Sequence, residues 1–171
     1  VALFVPNNGC RHACSFCSQR SITGVQVQPT ADDVRSAADT ALADLGEKSK
    51  EAEIAFFGGS FTAIERTYML ELLQAAEPYI KNGSFAGIRI STRPDAIDAE
   101  ILTILKEYGV TTVELGAQSM DNRVLALNGR GHTAEQVVSA SRQICNAGFA
   151  LGLQMMTGLM GDSDEGAQKT A

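Results

Sequence analysis

The chain has 171 residues, 44% hydrophobic and 20% charged, with 14 basic against 20 acidic side chains for a formal charge of −6. That length suits one domain with a sizeable core, and the acidic balance argues against a nucleic-acid footprint spread over the surface. No apolar run approaches the ~20 residues that span a bilayer, and no basic leader with an apolar stretch and cleavage site is visible, so a cytoplasmic setting without a membrane partner is expected.

Val1 to Val5 reads as a buried strand. It runs into Cys10-Arg11-His12-Ala13-Cys14-Ser15-Phe16-Cys17, a C-x3-C-x2-C run with an aromatic residue before the last cysteine. Cysteines in a cytosolic setting read as metal-binding or catalytic before disulfide-forming, and three thiolates this close can converge on one centre. A four-iron cluster normally takes four cysteines, so three would leave one iron open to a reactive ligand. Residues 1–31 contain no Asp or Glu but hold Arg11, His12 and Arg20. Positive charge beside thiolates favours their metal-binding form, while a solvated basic loop is the plain alternative. Zinc would need four tetrahedral ligands. His12 would have to fold back within the same loop to be the fourth, and no second C-x2-C pair exists.

Thr30 then caps a helix, with Asp32 and Asp33 in its first turn and Val34, Ala37, Ala38, Ala41, Leu42 and Leu45 at helical spacing. Ile54 to Phe57 is the second strand, stopped by Gly58-Gly59. A helix over roughly 67–76 presents Met69, Leu70, Leu72 and Leu73. Gly87 to Ile90 is the third strand, and Ile97, Ile101, Leu102, Ile104, Leu105 and Tyr108 form the next helical stripe, closed by Gly109. Thr111 to Leu115 is the fourth strand, followed by a short helix near 121–127. Thr133 caps a longer helix with Val137, Val138, Ser141, Ile144 and Cys145 on one face. Ala150 to Met155 is the fifth strand. Five β–α units without hairpins predict a parallel sheet with helices outside.

In such architectures the site forms at the carboxyl ends of the strands. The cysteine loop follows the first strand, and Gly58-Gly59-Ser60-Phe61-Thr62 the second. Ser91-Thr92-Arg93-Pro94-Asp95 follows the third, Glu114-Leu115-Gly116-Ala117-Gln118-Ser119 comes from the fourth, and Gln154-Met155-Met156-Thr157-Gly158-Leu159 from the fifth. One shared pocket with the metal on one wall is expected. Read singly, each motif has a structural alternative. Gly58-Gly59-Ser60 is either a tight turn or a loop that lets backbone groups approach a ligand. Glu114 is costly in an apolar strand and either pairs with an arginine such as Arg93 or serves a ligand. Gln118 has both donor and acceptor to offer. Arg130 is either solvated or a two-pronged carboxylate binder, and His132 is read as scaffolding. Cys145 is expected to be buried as a small hydrophobe, and Met155 and Met156 to be core or pocket wall.

The cysteine loop followed by Gly58-Gly59-Ser60 resembles the radical S-adenosylmethionine (radical SAM) superfamily. EIAFFGGSFTAI, GIRISTRPDAI, TTVELGAQS, GRGHT and LGLQMMTGLMGD look closest to bacterial relatives of the elongator complex catalytic subunit, and more distantly like oxygen-independent coproporphyrinogen oxidases. The resemblance implies an α/β fold, a partial (βα)6 TIM-like barrel with parallel strands, truncated after about five β/α units, with residues 1–171 as a radical SAM core domain. It implies that Cys10, Cys14 and Cys17 hold a [4Fe–4S] cluster whose open iron binds S-adenosylmethionine. Phe16, Gly58, Gly59, Ser60, Ser91, Arg93, Glu114, Gln118, Arg130 and Gln154 are the implied cofactor-binding residues. An electron donor such as flavodoxin or ferredoxin and a substrate such as tRNA are the implied partners. Relatives commonly have proline where this chain has Met160. A zinc-binding structural module on an α/β scaffold, and a nonredox nucleotide-binding protein with incidental cysteines, stand as the competing readings.

Overall fold

The computed structural model describes residues 1–6, 14–17 and 27–171. Five strands form one sheet in the order β1-β2-β3-β4-β5: β1 (Ala2–Val5), β2 (Glu53–Gly58), β3 (Gly87–Thr92), β4 (Val110–Gln118) and β5 (Ala150–Met155). Every neighbouring pair is parallel. Strand order therefore follows sequence order without a reversal. Because parallel crossovers are right-handed, all helices fall on one face of the sheet, the winding of a barrel wall rather than of a doubly wound sheet.

The helices are α1 (Ala31–Leu45), α2 (Arg66–Lys81), α3 (Ala99–Glu107), α4 (Asn122–Leu127), α5 (Ala134–Asn146) and α6 (Asp164–Thr170). Thr30 and Thr133 cap their helices as expected, and close capping boxes with Asp33 and Gln136. Helix α2 outruns its expected end. It continues through Pro78, whose fixed φ suits a helix, and so brings Tyr79 and Ile80 against the core. A 3-10 turn at Gly46–Glu51 carries no apolar periodicity and was not anticipated.

The alternation along the strands sorts the two faces of the sheet. Ile54, Phe56, Ile88, Ile90, Val113 and Leu115 are all 0% exposed and pack with Val34, Leu72, Leu73, Leu105 and Ile144 of the helices. The opposite face carries Glu53, Arg89, Ser91, Thr112 and Glu114. Helix α5 is buried through Ala134, Val137, Ala140 and Ile144. Cys145 is exposed, which corrects its assignment to the core: the buried stripe is set by Ile144, and the next residue turns about 100° away. Met155 and Met156 are likewise exposed, at 38% and 36%, so neither is core. Among the described residues no helix is long and apolar enough to cross a membrane.

Candidate functional site

All five strands end on the same edge of the sheet, and the expected residues gather there in two groups. The first is built around the cysteine loop. Cys10 lies outside the described residues. Cys14 is half-buried and Cys17 exposed, and the Cys17 N–H donates to the Cys14 carbonyl at 3.0 Å, a turn that keeps the two side by side. Arg130 Nη1 lies 3.3 Å from Cys14 Sγ, and its guanidinium carbon lies 5.8 Å from the centroid of the Phe16 ring, in reach of a cation–π contact. Arg130 Nη2 donates to the Gly116 carbonyl at 2.5 Å. The sequence allowed Arg130 a carboxylate partner; the structure gives it a sulfur, an aromatic face and a strand-end carbonyl instead.

Arg93 is only 5% exposed. Its Nε donates to Asp95 Oδ1 at 2.8 Å and its Nη2 to the Arg130 carbonyl at 2.6 Å, so the end of β3 braces the arginine that faces Cys14. Burial pushes the Asp95 carboxyl up, but the Arg93 hydrogen bond and charge outweigh it and hold the group below its ordinary value. Gln118 adopts φ 68°, a left-handed conformation at a non-glycine residue, where the β4–β5 register shifts. A Cβ placed on Gly116 would lie 3.0 Å from Gln118 Nε2 and 3.1 Å from Arg130 Nη2. The absence of a side chain at Gly116 is what lets these two groups close over the strand end.

Gly58 and Gly59 pack on the end of β1, the strand that leads into the cysteine loop. Gly58 pairs with Val5, and the Gly59 N–H donates to the Val5 carbonyl at 2.8 Å. Ser60 is buried and opens the short turn Phe61–Ala63.

The second group lies on the polar face. Glu114 does not pair with Arg93. It accepts from Arg89 Nη1 at 2.7 Å, from Gln154 Nε2 at 2.7 Å and from Ser91 Oγ at 3.4 Å. Arg89 also bonds Glu53 through Nε at 2.7 Å, and Thr111 and Thr112 hydroxyls add 2.8 Å bonds to the same carboxylate. Burial would raise the Glu53 carboxyl, yet the Thr112, Thr111 and Arg89 bonds together hold it below its ordinary value. Hydrogen bonds to Glu114 and Glu53 raise Arg89 further above an already high value. The ladder spans β2 to β5.

His132 is 5% exposed, with Nε2 3.2 Å from the Ala117 carbonyl and Nδ1 unpartnered. Burial and then the Arg130 charge push its pKa down to about 4, so it stands neutral beside the site, as scaffolding.

Two functional neighbours escape a sequence reading. Arg89 alternates with Ile88 and Ile90, a signal that it faces away from the core. Asn128, just before Gly129, is a residue type common in solvated turns; its amide in fact touches two loops. The Met160 N–H donates to Asn128 Oδ1 at 3.3 Å, a bond that the proline expected at this position could not make.

A sheet wound in one direction, with a cysteine loop and convergent polar groups over its strand ends, is the layout of a barrel-type cofactor enzyme. Residues 4–171 match the profile of the radical SAM superfamily, and the chain belongs to it. The tRNA uridine(34) acetyltransferase of Methanocaldococcus infernus is 29% identical over 142 residues, covering 72% of this chain and 26% of its own length. The heme chaperone HemW of Bacillus subtilis is 26% identical over 159 residues, covering 90% of this chain and 41% of its own. The solved structure of archaeal M. infernus Elp3 with an N-terminal deletion shares the fold, with a TM-score of 0.71 at 22% identity over 99% of this chain and 40% of that one. The chain thus spans between a quarter and two fifths of the length of these relatives.

Proposed function

We propose that residues 1–171 form the core domain of an enzyme that binds a [4Fe–4S] cluster and S-adenosylmethionine and cleaves the latter reductively. Cys10, Cys14 and Cys17 would hold the cluster. The contact of Arg130 Nη1 with Cys14 Sγ carries this reading. A guanidinium N–H aimed at sulfur complements a thiolate, the form that binds iron; the Gly116 carbonyl holds that guanidinium and Arg93 holds the Arg130 main chain, so the residue is tied to two strand ends. Sulfur-only ligation from one loop also suits iron–sulfur chemistry better than a closed zinc site. When bound, the cluster would supply one electron to the sulfonium, with methionine and a 5′-deoxyadenosyl radical as the products.

The rest is positioning by the protein. Phe16 and Arg130 would wall the cluster side. Gly58, Gly59 and Ser60 would stand beside the cofactor at the end of β2. Ser91, Arg93, Glu114, Gln118 and Gln154 supply donors and acceptors across the strand ends for the amino, carboxylate and ribose groups of the cofactor. The electron would come from a donor such as flavodoxin or ferredoxin. The likeness to a tRNA uridine(34) acetyltransferase makes tRNA the substrate class to test first.

Anaerobic reconstitution with iron and sulfide is expected to load about four irons and four sulfides per chain and to permit cleavage of S-adenosylmethionine under dithionite. Alanine at Cys10, Cys14 and Cys17 together should abolish both. About one zinc without sulfide in the anaerobically purified protein would replace this reading with a structural zinc module.

A further inference from the structure

We infer that Asn128 is a positioning residue that locks the cysteine loop to the loop after β5, so that the two sides of the cofactor site move as one unit; the functional half of this inference rests on the reading above. Asn128 follows α4 and is 2% exposed. Its side-chain oxygen accepts from Ser15 Oγ at 2.7 Å and from the Met160 N–H at 3.3 Å. Its side-chain nitrogen donates to the Met160 carbonyl at 3.0 Å and to the Val124 carbonyl at 2.8 Å. Two donors and two acceptor positions are all that an amide has, and here each is used.

The geometry is directional. The amide and the Met160 main chain form a closed pair of hydrogen bonds, which fixes which way the amide points. That orientation leaves only the oxygen turned toward Ser15. The Asn128 carbonyl accepts the Ser15 N–H at 3.1 Å as well, so residue 15 is held at both backbone and side chain. Two residues on, Arg130 reaches Cys14. The segment 128–130 is therefore a saddle that grips residues 14–16, and Asn128 extends the grip to Met160. Arg123 Nη2 adds a bond to the Gly161 carbonyl at 2.8 Å, tying the same loop to α4. A buried amide with four partners is expensive to disturb, since each partner left behind loses its bond without regaining water.

A loop clamped this way transmits displacement: freeing Ser15 should loosen Met160, and the reverse. Hydrogen exchange of the full chain without cofactor tests the link directly. Ser15→Ala removes one bond to Asn128 from an exposed position and should accelerate amide exchange around 158–161 roughly fivefold, the effect of one hydrogen bond, while β3 amides stay unchanged. Asn128→Ala should accelerate exchange around both 14–17 and 158–161. If Ser15→Ala leaves 158–161 unaltered, the lock is refuted, whether or not Asn128→Ala folds. In reconstituted protein with equal iron content, Asn128→Ala should weaken S-adenosylmethionine binding about tenfold and blunt the change in the cluster's electron paramagnetic resonance signal on its addition. Full affinity and an unaltered signal in Asn128→Ala would overturn the functional half. Failure of the unsubstituted chain to take up iron would instead sink the cluster reading, while the exchange experiment still decides whether the lock exists.

Discussion

A methyl group on Gly58 would lie 2.7 Å from the Phe4 ring and 2.9 Å from the Val5 carbonyl, on a backbone at φ 107°. Both the contact and the dihedral exclude a side chain there, so the glycine lets the end of β2 press on the end of β1. Gly58→Ala is expected to destabilise the chain by roughly 2–4 kcal/mol, combining strain and overpacking; urea unfolding measures it, and a cost under half a kcal/mol would show that the turn has room to adjust. His132 governs a different response. Its folded pKa of about 4 lies below the ordinary 6.5, so between those values the unfolded chain binds a proton that the folded chain refuses. Stability is then complete above pH 6.5 and declines as pH falls toward 4. The thermal midpoint should drop between pH 7 and pH 4.5, and His132→Gln should flatten that drop. Glu53 and Asp95, held below their ordinary values, add their loss only at lower pH. An identical slope in both proteins would remove His132 from the account.

At the scale of elements, the strands are joined twice: by their ladders and by the row Glu53–Arg89–Glu114–Gln154 across the polar face. Arg89 is the only cation in that row, with side chains of Glu53 and Glu114 21% and 18% exposed on either side. Replacing it by methionine leaves two carboxylates facing one another in partial burial. The expected cost is about 1–3 kcal/mol, below that of a fully buried pair because Arg89 itself is 34% exposed. Glu114→Gln keeps a hydrogen-bonding group against Arg89 and should cost less. Equal losses in chemical denaturation would mean that shape, not charge, holds the row.

For the molecule as a whole, the alternation of short apolar strands with capped helices was enough to read the parallel sheet, because each strand and each helix carries its own period. The strand-end motifs were legible for the same reason: chain direction alone puts them on one edge. Pairing was not. Glu114 stands opposite Ser91, with Arg89 and Arg93 two residues to either side; Arg93, past the end of β3, is taken by Asp95 and the Arg130 carbonyl, a commitment that leaves no trace in composition. Cys145 was misread by a single position on a helix face. Asn128 was invisible because a buried amide and a solvated turn residue are spelled the same way.

Ser15 and Asn128 are 113 residues apart, and that separation has a consequence for the order in which this protein is made. Translation proceeds at about 5–20 residues per second, so the thiols leave the ribosome roughly 6–23 seconds before the segment that will grip them exists. A nascent chain during that interval carries the Cys14 thiol without its guanidinium neighbour. On the proposed cluster reading, iron delivered then would meet thiols not yet held in place, and productive loading would follow synthesis of the fourth strand and closure of the ring between the two segments.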